Sequence, residues 1–485
     1  MTEQGIQGTC GLQDPPRNPV EVCLTINERA AGHPLYQDAR KGLAPGSNLA
    51  WRLSPEPFPI PKETYFYLKG LGNHLLKFYE ATNRLYFESV KGQQPAWIHR
   101  LLDQGKPDSL IDYGRMNRFK RQLPTVIRPD LLFTESGRAI ASELDSIPGG
   151  LGFVASLSHE YARLGFEPVG GASGMIEGFA RMMRAQTEII EPTVAIVVSE
   201  EASDYWHEFV WLGQALTEHG LETLVARPQD LRFTEEGFEI ALSGGRVATP
   251  HIIYRYFELF DLKNIPKMEL IQYANKKQRV FVTPPFKAYL EEKLLFALFH
   301  HPMLRRFWQT ALGDETCHAL DSLIPRTWIL DPTPLPPQAV IPGLEIDGLA
   351  VNDFRQLLHT TKKQRDYVVK PSGFSELAWG SRGVEFGADL SAGDWERTLD
   401  QALTSFSQTP YLLQEYHKPA KVTARYYDFH RQEIRSFDGR ARLCPYYFVT
   451  GDQAELGGIL VTVCPADKKA IHGMVDSIMV PARVE

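Results

Sequence analysis

The stretch TVIRPDLLFTESGRAIASELDSIPGG, residues 125–150, decides how this chain is read. Two apolar runs flank the turn-forming Glu135-Ser136-Gly137, and the segment stops at Pro148-Gly149-Gly150, the pattern of a β-hairpin followed by a loop. Side chains alternate along a strand, so Arg128 and Asp130 share one face of the first strand, and Glu143 and Asp145 share one face of the second. Three carboxylates and one guanidinium can then converge. Hard Mg²⁺ takes carboxylate and phosphate oxygens, and arginine meets phosphate with its fork of donors, so the pattern suits a metal and phosphate site. Cross-strand ion pairs on an exposed hairpin account for it equally well.

On the N-terminal side, Lys62 to Val90 places Tyr65, Tyr67, Leu68, Leu71, Leu75, Leu76, Phe78 and Tyr79 at mostly three- and four-residue spacings, as an amphipathic helix does. The residues before it are rich in Pro and Gly and predict irregular structure. On the C-terminal side, TVAIVV, a helical stretch from Ser203 to His219, and ETLVARP follow in the strand, helix, strand order of a parallel unit. ALSGGRVATPHIIYRYFELF adds a Gly-Gly turn and a further strand, in which Arg255 could meet a substrate carboxylate or be structural. A helix is expected from Phe286 to Leu312, with Lys293 at the edge of its apolar stripe. Beyond the Pro-rich linker at 331–343, DYVVKPSG and PYLLQEY each read as a strand ending in polar residues.

Lys370 ends the first of these strands. With Ser372 and Gly373 behind it, an ammonium and loop N–H groups could face phosphates, although a solvated strand end explains the same residues. The backbone of Gln414, Glu415 and Tyr416 could receive an adenine edge, or belong to an ordinary core strand. Arg440 and Arg442 alternate on a strand and point the same way, toward phosphate or water.

Composition narrows the field. The chain has 485 residues, enough for two or three domains, with 43% hydrophobic and 23% charged residues, as in ordinary globular proteins. A net charge of −7 gives no positive field for nucleic acid or an anionic membrane. No run approaches the roughly 20 apolar residues of a membrane span, and the opening residues lack a signal peptide's apolar centre, so a cytoplasmic location is expected. The five cysteines, at 10, 23, 317, 444 and 464, show no CxxC spacing and are expected to be reduced. GxxxxGK[ST], HExxH, GxSxG and a full GxGxxG after a strand are all missing, and the Gly149–Gly152 segment GGLG is too short to claim a dinucleotide. The acidic turn SEEASD after TVAIVV likewise speaks against one.

In their order and spacing these motifs resemble the synthetase domain of glutathionylspermidine synthases and the wider circularly permuted ATP-grasp family. There an Arg-x-Asp strand followed by Glu-x-Asn holds Mg²⁺ and the γ-phosphate of ATP; the match here is Arg128-x-Asp130 and Glu143-x-Asp145. The segment LEEKLLFALFHHPMLRRFW looks like the family's lysine-bearing helix and makes Lys293 a phosphate contact. Lys370 resembles the second ATP lysine, and Gln414-Glu415 the adenine hinge. Three departures stand out: Asp145 replaces asparagine, SELAWGSRG replaces the Arg-Glu-Gly phosphate loop, and no amidase domain precedes residue 62.

The resemblance implies a mixed α/β (α+β), circularly permuted ATP-grasp-like fold with a small Rossmann-like domain. The expected division is an irregular segment at 1–61, a helical region with the Mg²⁺-binding hairpin at 62–190, the Rossmann-like domain at 191–285 and the ATP-binding lobes at 286–485. The implied function is an ATP- and Mg²⁺-dependent carboxylate–amine ligase acting through an acyl phosphate. Asp130, Glu143 and Asp145 would hold metal, and Arg128, Lys293, Lys370, Ser372, Gly373, Gln414, Glu415, Tyr416 and Arg442 would serve catalysis or bind ATP. Its partners would be a small-molecule carboxylate and an amine, not nucleic acid or membrane, with a homodimer left open. A phosphotransferase and a catalytically silent nucleotide-binding scaffold are the alternatives.

Overall fold

The computed structural model describes residues 18–37, 42–473 and 475–485, apart from the side chains of Trp379 and Ser381. Residues 1–17, with Cys10, and 38–41 of the Pro/Gly-rich N-terminal segment lie outside this range; where irregular structure was expected, the described part forms a helix, Pro19–Ala30, which buries Val22, Cys23 and Ile26.

Three sheets organise the described residues. The largest has seven strands, in the order Phe58–Ile60, Ile478–Val484, Gln453–Pro465, Glu433–Thr450, Val126–Phe133 and Ala139–Asp145, with Lys421–Asp428 also paired to Glu433–Thr450. The hairpin expected from the sequence forms its edge. The helix Lys62–Val90 packs on this sheet and buries Leu68, Leu71 and Leu75, while Phe78 meets the rings of Phe299 and Trp308. Gly72 permits the approach: a Cβ there would lie 2.5 Å from both the Ala454 carbonyl oxygen and the Tyr447 ring.

The second sheet is wholly parallel, in the order Phe281–Thr283, Ile252–Tyr256, Val194–Val198, Thr223–Ala226. Val194–Val198 is buried throughout, which is why it reads as an unbroken apolar run rather than an alternating one. The helix Trp206–Glu218 follows it. The third sheet is antiparallel: Thr327–Ile329, Tyr411–Glu415, Tyr367–Pro371, Glu385–Phe386.

One expected element breaks up. The helix predicted from Phe286 to Leu312 is a short turn at Ala288–Leu290, a seven-residue helix Leu294–His300, and the start of a second helix at Arg305. His301 is extended ahead of Pro302, which cannot continue a helix and disfavours helical backbone before it. Lys293 therefore caps a short helix rather than edging a long one. Among the described residues, no helix is long and apolar enough to cross a membrane.

Candidate active site

The hairpin is not a regular ladder. Arg128 faces Asp145 and Asp130 faces Glu143, but the register then shifts so that Leu131 faces Ala141, leaving Ser142 as the extra residue of a β-bulge. The bulge keeps all four charged groups together and turns the Ser142 carbonyl out of the ladder, toward Lys370.

Arg128 is the hub. Its Nε lies 2.9 Å from Asp130 and its Nη2 3.2 Å from Asp145, while Nη1 donates to the Gly149 carbonyl at 3.1 Å. Asp130 is almost fully buried and is also paired with Arg442 at 2.9 Å. Burial pushes the Asp130 carboxyl up, but Arg128 and Arg442 outweigh it and hold the group below the usual range. Glu143 behaves alike: burial raises it, and Lys293, 2.8 Å away, brings it below normal. At Asp145 burial is only partly offset by Arg128 and is reinforced by Glu143, so its carboxyl is raised.

These groups open on a cavity of about 860 Å³ lined by Arg128, Asp130, Glu143, Asp145, Lys293 and Arg442, among others. Further walls come from the residues at and after the end of the parallel strands, from the loop after Lys370, and from Pro34, Leu35, Gln37, Gly42, Ala50 and Trp51 near the N-terminus. Sequence reasoning missed three acidic residues there. Glu208 accepts from the Gly150 N–H at 2.9 Å, and its carboxyl is pushed up to about 8 by burial, against the pull of the Gly150 and Phe153 amides. Glu258 and Glu291 are both raised: burial comes first, then mutual repulsion for Glu258, while Arg255 pulls Glu291 back. The Glu258 carbonyl accepts from the Asp261 N–H at 3.2 Å, while its carboxylate has no hydrogen-bond or ion-pair partner among the described residues. No spacing rule links these acids to the hairpin, so no local signal could have found them.

Lys370 is buried just behind the cavity. It donates at 2.8 Å to the Ser142 carbonyl and at 2.8 Å to Gln414 Oε1, joining the small antiparallel sheet to the hairpin. Burial pushes its ammonium down to about 8, against the opposing pull of Glu143.

Several expected ligand contacts are instead engaged within the protein. Ser372 Oγ and the Gly373 N–H both donate to Glu292, which also pairs with buried Lys106, so in this structure the loop donors hold a carboxylate of the chain itself. Gln414 lies in a central strand, paired to Val368 on one side and Thr327 on the other. The Glu415 N–H donates to Arg326 O and the Tyr416 N–H to Asp366 O, so those two donors are not open to an adenine edge. A strand between two neighbours spends its backbone groups on the ladder. Arg440 points to the carbonyls of Ala466 and Lys468, and only Arg442 of that pair reaches the cavity. Arg255 is fully buried and donates to the carbonyls of Phe257, Pro284 and Pro285 and to Glu291, which leaves no fork for a substrate carboxylate.

The altered loop SELAWGSRG forms a short turn at Glu376–Ser381. Ala378 O accepts from Lys293 at 2.9 Å, and Arg382 pairs with Glu201 at 3.0 Å. For a divalent cation, the donor chemistry fits: the carboxylate oxygens of Asp130, Glu143 and Asp145 line one cavity together with those of Glu208, Glu258 and Glu291. Among the described residues, no three His, Cys, Asp or Glu side chains are drawn close enough to hold a metal by themselves. Mg²⁺ usually takes one or two carboxylates and completes its shell with water and phosphate oxygens, so the fit of these residues is one of donor type alone.

Among solved structures, the chain is similar to a glutathione synthetase-like effector from Globodera pallida in its apo form, with a TM-score of 0.53 at 12% identity over 97% of both chains. It is also similar to a putative gamma-glutamylcysteine synthetase from Methylobacillus flagellatus KT, with a TM-score of 0.40 at 13% identity over 86% of each chain. The first likeness establishes a glutathione synthetase-like, mixed α/β fold; the second is too distant to add to it. No family model matches the chain. No curated protein matches it.

Proposed function

We propose that this chain is an ATP- and Mg²⁺-dependent ligase that joins a carboxylate to an amine. One observation carries the reading: the hairpin set Arg128, Asp130, Glu143 and Asp145 meets Lys293 in a single cavity, with Lys370 directly behind it. A glutathione synthetase-like fold is consistent with it. On this reading the fold is a circularly permuted ATP-grasp and the parallel sheet its Rossmann-like companion.

Asp130, Glu143 and Asp145 are the groups that would hold Mg²⁺, which when bound offsets charge on the phosphates. Arg128 and Lys293 would turn from their carboxylate partners to the transferred phosphoryl group, and Lys370 would neutralise charge from behind; catalysis of this kind is positioning and electrostatics. The substrate carboxylate oxygen attacks the γ-phosphorus, ADP leaves, and an acyl phosphate results. The amine nitrogen then attacks the acyl carbon and inorganic phosphate leaves. The acceptor arrives as an ammonium and must shed a proton first. Glu258 lines the same cavity, and an ammonium beside it would draw its raised carboxyl back to the ionised form that can take that proton.

The test is ADP release by wild-type protein and Glu143→Gln against pooled carboxylates and amines with MgATP. ADP formed only when both acceptor classes are present, and lost in the variant, supports ligation. ADP formed with one class alone indicates a phosphotransferase. Tight ATP binding with no ADP under any condition sinks the ligase reading and favours a silent nucleotide-binding protein, the reading to which Glu292's hold on the Ser372 and Gly373 donors points.

A further inference from the structure

The charged groups do not make up the whole lining of the cavity, which also includes Leu35, Ala50, Trp51, Phe153, Leu460 and Met479, side chains with no chemistry to offer phosphate or metal. Trp51 meets Phe153 edge to face, with ring centroids 4.7 Å apart. The indole Nε1 of Trp51 has no hydrogen-bond partner, whereas a buried indole N–H normally finds one.

This wall is built, not loosely draped. The Ala50 N–H donates to Tyr36 O at 3.0 Å and the Arg52 N–H to Ser477 O at 2.8 Å, while Asn27 Oδ1 receives the Asn48 N–H at 2.7 Å. It also begins beside the charged end. Gly149 holds Arg128, a Cβ on Gly150 would come within 3.4 Å of Leu460, and Phe153 follows one helical turn later. Leu35, Ala50, Trp51, Phe153 and Leu460 are buried yet border the cavity, and binding cavities pair such an apolar lining with a few placed polar groups to hold an amphipathic ligand.

We infer that one of the two molecules joined here carries an apolar group of branched or aromatic side-chain size, seated against Trp51 and Phe153. The inference rests on this cavity being the substrate site of the ligase reading. Its chemistry is shared by a hydrophobic carboxylate and a hydrophobic amine, and the experiment separates them.

Calorimetric titration of the full chain without ATP compares phenylacetate with acetate, and phenethylamine with ethylamine. Burial of a ring is expected to make one aromatic probe bind about 10- to 100-fold tighter than its small counterpart, and the pair showing this identifies which substrate bears the group. Trp51→Ala and Phe153→Ala should each cut that preference at least several-fold without weakening the small probe, and Trp51→Phe should keep most of it. Circular dichroism identifies any variant that fails to fold, and the wild-type comparison and remaining variants then decide. No preference in either pair, including no binding of any probe, overturns the inference, as does a preference that survives both alanine variants. A preference without ADP formation in the turnover screen shows the apolar subsite to be real but sinks the ligase reading that makes its occupant a substrate; ADP formation from small polar pairs with no preference keeps the ligase reading and overturns the subsite.

Discussion

Lys370 Nζ donates at 2.8 Å to the carbonyl of Ser142, the residue that the hairpin bulge leaves outside the ladder. The contact ties the lysine strand to the metal-candidate hairpin, and it exists because one extra residue turns a backbone carbonyl outward. It also places a buried ammonium, pushed down to about 8, next to Glu143.

Protonated Lys370 attracts phosphate and neutral Lys370 does not, so ATP affinity should fall as pH rises through about 8, the value to which burial brings this group. Lys370→Met should bind ATP about 10- to 100-fold more weakly at pH 7, in line with loss of a charge-assisted contact. Titrations from pH 6.5 to 9.5 should also show that the wild-type-to-variant ratio shrinks above pH 8. A constant ratio would place Lys370 outside the nucleotide site.

Asp130 balances two guanidiniums, Arg128 and Arg442, in a nearly closed environment. Asp130→Asn should therefore cost stability as well as turnover, about 3 kcal/mol by the usual penalty for breaking a buried pair. Glu143 is more open, so Glu143→Gln should cost under about 1 kcal/mol while still removing Mg²⁺-dependent turnover. Urea unfolding of both variants beside their ADP release checks this, and equal destabilisation would contradict the difference in burial.

Gly149 receives Arg128 and the Tyr446 hydroxyl on its carbonyl, and a Cβ on it would come 2.1 Å from the Tyr205 ring. Gly149→Ala must move the turn or the ring. The expected outcome is about 1–3 kcal/mol of destabilisation, as for overpacking generally, with a larger proportional loss in kcat than in substrate affinity because Arg128 loses its anchor. Steady-state kinetics at saturating ATP would expose an unchanged kcat, which would separate this turn from the reaction.

Glu208 supplies a pH signature of folding. Its carboxyl is raised from 4.5 to about 8 in the folded chain, so between these values the folded state holds a proton that the unfolded state has lost. The stability from this group is complete below pH 4.5 and is lost as pH rises toward 8, with a slope of at most about 1.4 kcal/mol per pH unit. Glu208→Gln should flatten that slope, gaining relative to wild type at pH 8. Denaturant midpoints at pH 5, 6.5 and 8 measure it, and parallel curves for the two proteins would refute it.

Much of this was legible from local pattern. Alternation along residues 125–150 paired Arg128 and Asp130 with Glu143 and Asp145, and the apolar run at Val194–Val198 announced a strand buried on both faces. The helix Lys62–Val90 follows its periodicity from Leu68 onward, while Tyr67 in its first turns is exposed. Such features depend on side-chain direction within one element, which the period of the chain sets without reference to anything distant.

Tertiary structure decided the rest. The bulge at Ser142, the meeting of Lys293 with Glu143, the capture of the Ser372 and Gly373 donors by Glu292, and the central rather than edge position of Gln414 are contacts between residues far apart in the chain. So are the acidic wall of Glu258 and Glu291 and the apolar wall of Trp51 and Phe153. Periodicity says which face of an element is apolar; it does not say which other element covers that face, or which buried donor satisfies which acceptor. Those choices are made by packing and hydrogen-bond satisfaction across the whole molecule, and the site is assembled from them.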